Sequence, residues 1–174
     1  YDLIENAVGE HKKGAIFLTG HVGNWQTSLA LLEKLDKKLY IVMRPEDNPA
    51  LIDSLNVTQR GGNVKIISPE QALGGAVEIV NALSQGGLVF MMGDRKYDFN
   101  TTEAVFLGDK AKFPHGAFRI AAAAGCPIVV WFSAKISERL YDISTGGVLN
   151  PRYEKGKEKG AQIKVWVQEF ASLL

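Results

Sequence analysis

The sequence holds one cysteine, Cys126, among its 174 residues. A lone thiol has no partner within the chain, which excludes a disulfide scaffold and fits a reducing compartment. Charge of one sign is also missing: 20 basic residues stand against 19 acidic ones, for a formal net charge of +1. No bulk field therefore favours nucleic acid or an anionic membrane, and a nucleic-acid partner is not expected. Long apolar runs are absent too, the longest uncharged ones reaching roughly half of the ~20 residues that a bilayer span needs. The opening Tyr1-Asp2-Leu3-Ile4-Glu5-Asn6 is polar and does not read as a signal peptide. What remains, 46% hydrophobic and 22% charged, is the composition of one globular domain, residues 1–174, with chain enough for a core.

Short apolar runs alternate with helical segments. Ala15–Gly20, Leu39–Arg44, Val64–Ile67 and Gly87–Met92 read as buried strands. Helices are expected from Trp25 to about Lys34, from Asp47-Asn48-Pro49 to Gly61-Gly62, and from the capping-box spacing Ser68-Pro69-Glu70-Gln71 to about Leu83. Ala104–Leu107 reads as a short strand before a turn at Gly108-Asp109, and Pro114–Ala124 as a helix closed by Gly125. Pro127–Phe132 is another buried strand with Arg139–Ile143 beside it, Lys155–Gly160 a solvated loop, and Ala161–Leu174 a helix. That last helix stops on Leu173-Leu174 without a cap, and the first segment enters directly into a helix, so both ends are expected to continue in a longer polypeptide. Strand–helix alternation with solid apolar strands predicts an α/β fold with a mostly parallel central sheet.

In such a sheet, ligands bind beyond the carboxyl ends of the strands. Three strand ends here carry chemistry: His21-Val22-Gly23-Asn24-Trp25-Gln26, Arg44-Pro45-Glu46 and Gly93-Asp94-Arg95-Lys96. Dinucleotide, P-loop and Gly-x-Ser-x-Gly motifs are missing. The three histidines, His11, His21 and His115, are dispersed, so no metal site is expected. Each strand-end residue taken alone also fits a plain role: His21 as a cap, Trp25 as core, Arg44 as surface charge, Gly93-Asp94-Arg95 as a turn.

Taken in order, His21-Val22-Gly23-Asn24-Trp25-Gln26, Arg44, Gly93-Asp94-Arg95 and Gly125-Cys126-Pro127-Ile128-Val129 resemble the four blocks of the glycerolipid acyltransferase superfamily. The likeness is to its bacterial lipid A biosynthesis (lauroyl/myristoyl) acyltransferases. It extends from about Gly14 to Leu174, and His-x-Gly-Asn-Trp is its specific part. The resemblance implies a glycerol-3-phosphate acyltransferase-like sheet covered by helices on both faces. It implies transfer of a fatty acyl group from acyl-CoA or an acyl-carrier protein to a hydroxyl or amine of a polar lipid such as lipid A. No metal or redox cofactor is implied. The place of work would be a membrane surface, peripherally, at the cytoplasmic face of the bacterial inner membrane.

His21 is then the general base, a task suited to imidazole because its ordinary pKa near ~6.5 leaves much of it neutral at working pH. Arg44 and Arg95 would bind phosphate through paired charge-assisted bonds, with Lys96 as a further cation and Asn24, Trp25 and Gly93 beside the substrate. The family places Asp or Glu five positions after the histidine; here that position is Gln26. An amide oxygen orients an imidazole but brings no charge to balance imidazolium. Three readings follow: Gln26 orients alone; another carboxylate, Asp94 first and Glu46 second, supplies the charge; or the site is catalytically impaired and the chain a lipid- or acyl-binding module. A thioesterase-like hydrolase would use the same His21 with water as acceptor. Trp25, Phe90, Met91, Met92 and Phe106 are candidates for an acyl slot, against ordinary core packing.

Overall fold

The structure, a computed structural model, describes residues 13–24, 37–44, 64–70, 75–95, 100–138 and 140–174. Its central sheet has six strands in the order β3-β2-β4-β1-β7-β8. These are β1 (Ala15–Thr19), β2 (Leu39–Val42), β3 (Val64–Ile67), β4 (Leu88–Met92), β7 (Ile128–Lys135) and β8 (Tyr141–Leu149). All neighbours pair in parallel except β7 and β8. The chain is an α/β protein with a mostly parallel sheet.

Burial explains why the strands read as solid apolar runs. Every residue of β1 is buried, and its side chains divide by parity between two layers. Ile16 and Leu18 join a core built with the helices α1 (Ala76–Ser84), α2 (Gly116–Ala124) and α3 (Lys159–Leu173). Ala15 and Phe17 join Leu39, Ile41, Phe90 and Trp131 on the opposite face. The three described helices thus cover one face. The helices expected at 25–34 and 47–62 lie outside the described residues.

One expectation is corrected, and one lies partly outside the described residues. The Ser68 hydroxyl accepts from the Glu70 amide two residues on, a bond that a helix cap makes, but residues 71–74 lie outside the described residues. The described helix α1 starts at Ala76, entered through Gly75 at φ 70. Pro114 does not begin a helix. It ends a strand, β6 (Asp109–Pro114), which pairs antiparallel with β5 (Thr101–Phe106), and α2 follows from Gly116. Leu107 and Gly108 form the turn, both at positive φ as a two-residue hairpin requires. A leucine at φ 52 bears a cost of about 1 kcal/mol that glycine would avoid.

The inner face of this hairpin packs Phe106 on Phe113, and Phe113 edge-on to Phe170 of α3. Its open edge is closed by one side chain. The Gln168 amide accepts from the Val105 N–H at 2.8 Å and donates to the Val105 carbonyl at 3.0 Å, standing in for a neighbouring strand. At the start of α3, the Glu158 carboxylate accepts from the amides of Gly160 and Ala161, so the helix begins at Lys159, two residues before the expected Ala161.

Candidate functional site

Strands β1 and β4 are parallel neighbours in register, Thr19 opposite Met92. The ladder continues one step further, the Gly93 amide donating to the Thr19 carbonyl at 2.8 Å. Each strand then passes through a single glycine, Gly20 or Gly93, to a titratable residue, His21 or Asp94. Equal offsets from a shared register bring these two together although they lie 73 positions apart.

The Asp94 carboxylate holds His21 with both oxygens. Oδ2 accepts from the His21 backbone N–H at 2.8 Å, and Oδ1 lies 2.7 Å from ring Nδ1. An ionised carboxylate only accepts, so in the neutral ring this contact puts the proton on Nδ1 and leaves the lone pair on Nε2. Among the described residues nothing bonds to Nε2. The side chains of His21 and Asp94 are 25% and 21% exposed, so the pair is open to a substrate while partly screened from water.

The loop after His21 is fixed by its glycine. Gly23 sits at φ 71, and a Cβ there would lie 1.6 Å from the Ser133 carbonyl oxygen of β7. The adjacent Asn24 amide donates to that same oxygen at 3.2 Å. The Gly-Asn step of His-x-Gly-Asn therefore docks the histidine loop on β7. On the other side the two strand-end glycines admit the end of α3. A Cβ at Gly93 would meet Leu18 and Phe170 at 3.0 and 3.1 Å, and one at Gly20 would meet Leu174 at 2.8 Å. The sequence shows Gly20 and Gly93 as strand-end residues; that they make room for α3 is visible only in the packing.

Arg44 and Arg95 lie at this edge too. In the strand order β2 and β1 flank β4, so Arg44 lies about 10 Å of sheet from β1. It is exposed, and its Nε lies 3.5 Å from Glu70 Oε1. Arg95 follows Asp94 directly and is exposed. Trp25, Gln26, Glu46 and Lys96 lie outside the described residues. Of the candidates for an acyl slot, Phe90 is core: it stacks on Phe17 at 5.2 Å and meets Trp131 edge-on at 5.2 Å. Met91, Met92 and Phe106 are half-buried, Phe106 against Phe113.

Burial pushes the Cys126 thiol up to about 11, which leaves it a core residue without a thiolate nucleophile near neutrality. Among the described residues no three His, Cys, Asp or Glu side chains gather as metal ligands, and no helix is long and apolar enough to cross a membrane. The arrangement is an imidazole held by both oxygens of a carboxylate, with Nε2 unbonded among the described residues, at the carboxyl edge of a parallel sheet. No curated protein matches the chain. The family model of the bacterial lipid A biosynthesis acyltransferases matches residues 2–142.

Proposed function

The chain belongs to the bacterial lipid A biosynthesis acyltransferase family, and from that premise we propose that it moves a fatty acyl group from an acyl-CoA or acyl-carrier-protein thioester to a hydroxyl or amine of a polar lipid, with His21 as general base. The observation that carries this reading is the two-oxygen contact of Asp94 with His21. His21 Nε2 takes the acceptor proton as the acceptor oxygen or nitrogen bonds to the thioester carbonyl carbon. Asp94 offsets the charge that develops on the imidazolium. The tetrahedral intermediate then collapses, the C–S bond breaks, and the thiolate leaves with the proton returned from Nε2.

Arg44 and Arg95 supply guanidinium groups for the phosphates of the acceptor lipid or of the donor's pantetheine arm, with Lys96 beside them. Asn24, Trp25 and Gly93 shape the ground on which the substrates meet. The reaction needs no metal or redox cofactor, and the enzyme works at a membrane surface, at the cytoplasmic face of the bacterial inner membrane. Residues 1–174 act as a single acyltransferase domain.

In this reading Gln26 does not limit the reaction, because Asp94 brings the negative charge. Gln26→Glu is accordingly expected to leave turnover close to that of the unaltered protein. A gain of several orders of magnitude would show that the charge was missing and that the unaltered chain is an impaired binding module. The reading as a whole is tested by incubating the protein with acyl-CoA and acyl-carrier-protein thioesters and a bacterial lipid extract, followed by mass spectrometry of the lipids. An acylated lipid is expected, lost by a factor on the order of 10²–10⁴ in His21→Ala. Equal product from the variant would remove His21 from the chemistry. Free fatty acid without a lipid product would make the protein a thioesterase.

A further inference from the structure

The edge of the sheet that carries His21 and Asp94 also carries a set of apolar side chains that no core absorbs. Val22, immediately after His21, is 58% exposed; Ile136 and Leu140, in the turn between β7 and β8, are 62% and 57% exposed. They belong to one rim. β7 runs parallel to β1 beside it, so its carboxyl end opens on the same edge. The Ser133 carbonyl, three residues before Ile136, is the group on which Gly23 and Asn24 dock. The turn itself is closed: the Ile136 amide donates to the Leu140 carbonyl at 2.9 Å, and the Leu140 amide to the Ser137 carbonyl at 3.4 Å. Ile136 and Leu140 are therefore held side by side and outward by backbone hydrogen bonds. Exposed Lys135 flanks them, exposed Glu138 lies within the turn, and exposed Arg95 follows Asp94 on the same edge.

We infer that Val22, Ile136 and Leu140 form a lipid-docking rim, which seats the His21 edge on the bilayer that holds the acceptor. The inference rests on the proposed transfer to a lipid and names the surface by which the site reaches it. A bilayer fits these residues better than a protein partner does. The three side chains stand on two separate turns, and a fluid apolar phase takes them up without the shape complementarity on which a protein interface is built. Cations at the rim's margins, Lys135 and Arg95, match headgroup phosphates at the depth where the apolar groups enter the acyl boundary. Because the chain's net charge is only +1, apolar insertion supplies most of the binding, and binding persists in salt.

The test uses vesicles of phosphatidylethanolamine and phosphatidylglycerol, with co-sedimentation of the full chain. The unaltered protein is expected to bind, and to remain bound in about 0.5 M salt, where surface charge is screened within a few ångströms. The double variant Ile136→Asp with Leu140→Asp keeps the backbone bonds of the turn and the thermal unfolding midpoint. Its partition falls by about tenfold per side chain. Its acyl transfer to a vesicle-embedded acceptor falls with it, while transfer to the same acceptor dispersed in detergent does not. Leu107→Asp serves as control: that leucine is 89% exposed in the turn of the β5–β6 hairpin, which is separate from the six-stranded sheet, and its replacement leaves vesicle binding unchanged.

Unaltered vesicle binding by the double variant would overturn the rim, as would equal release by Leu107→Asp. So would a dimer of the unaltered protein that the double variant dissolves, which would make a second copy the occupant. Loss of all transfer in detergent, with vesicle binding intact, would instead refute the proposed chemistry and leave the rim standing.

Discussion

Exchanging Asp94 for asparagine is expected to lower kcat for acyl transfer on the order of 10³- to 10⁴-fold, with the thermal unfolding midpoint little changed. Asparagine is nearly the same shape. Its carbonyl oxygen still accepts one of the two bonds that Asp94 receives, from the His21 backbone amide at 2.8 Å or from ring Nδ1 at 2.7 Å. What it removes is the charge, together with the strict acceptor character that holds the ring proton on Nδ1. The serine-protease triad sets the scale, since the matching substitution there costs about 10⁴ in turnover through the wrong tautomer. Steady-state kinetics on a saturated acceptor separate the cases: a change confined to KM would mean that Asp94 binds substrate and does not serve the base.

Gly23→Ala is expected to remove at least on the order of 10² of the activity and to lower stability as well. The added methyl would stand 1.6 Å from the Ser133 carbonyl oxygen, backbone that has no rotamer to relieve the clash, and φ 71 is strained for alanine besides. The loop must lift from β7, taking His21 off Asp94, and a misplacement of about 1 Å at a reacting group is enough to cost 10²-fold. Thermal unfolding and kcat, measured on the same preparation, check both halves. Unchanged activity with a lowered midpoint would show that the docking of Gly23 on β7 does not hold the base.

The site was legible in part because its pieces are local. Strands β1 and β4 are buried runs of mostly apolar residues, and each is followed at once by chemistry: Gly20-His21 after β1, Gly93-Asp94 after β4. What joins them is not local. β4 inserts between β1 and β2 in the sheet, and nothing in the composition of Leu88–Met92 says which strand it will flank. From the sequence Asp94 stands only as the first of two carboxylates able to serve His21; its two contacts depend on the register of Thr19 with Met92. The rim was hidden for a related reason. Ile136 and Leu140 continue a run that reads as strand and partner strand, and their exposure follows from the turn that separates them.

The β5–β6 hairpin shows where apolar periodicity runs out. Asp109-Lys110-Ala111-Lys112-Phe113-Pro114 has only Ala111 and Phe113 as inward apolar positions, and proline ahead of a helix favours a helix start. Pairing with Thr101–Phe106 and packing on Phe170 settle the segment as a strand.

The central claim, that His21 and Asp94 act as one unit, is tested most directly by the kcat of the His21→Ala, Asp94→Asn double variant set against the His21→Ala single variant. Residues that act together are not additive. The two values are expected to agree, because without the imidazole the carboxylate has no proton to position and no charge to balance. If the double variant is slower than His21→Ala by the full factor that Asp94→Asn alone produces, the two residues contribute independently and the dyad does not exist.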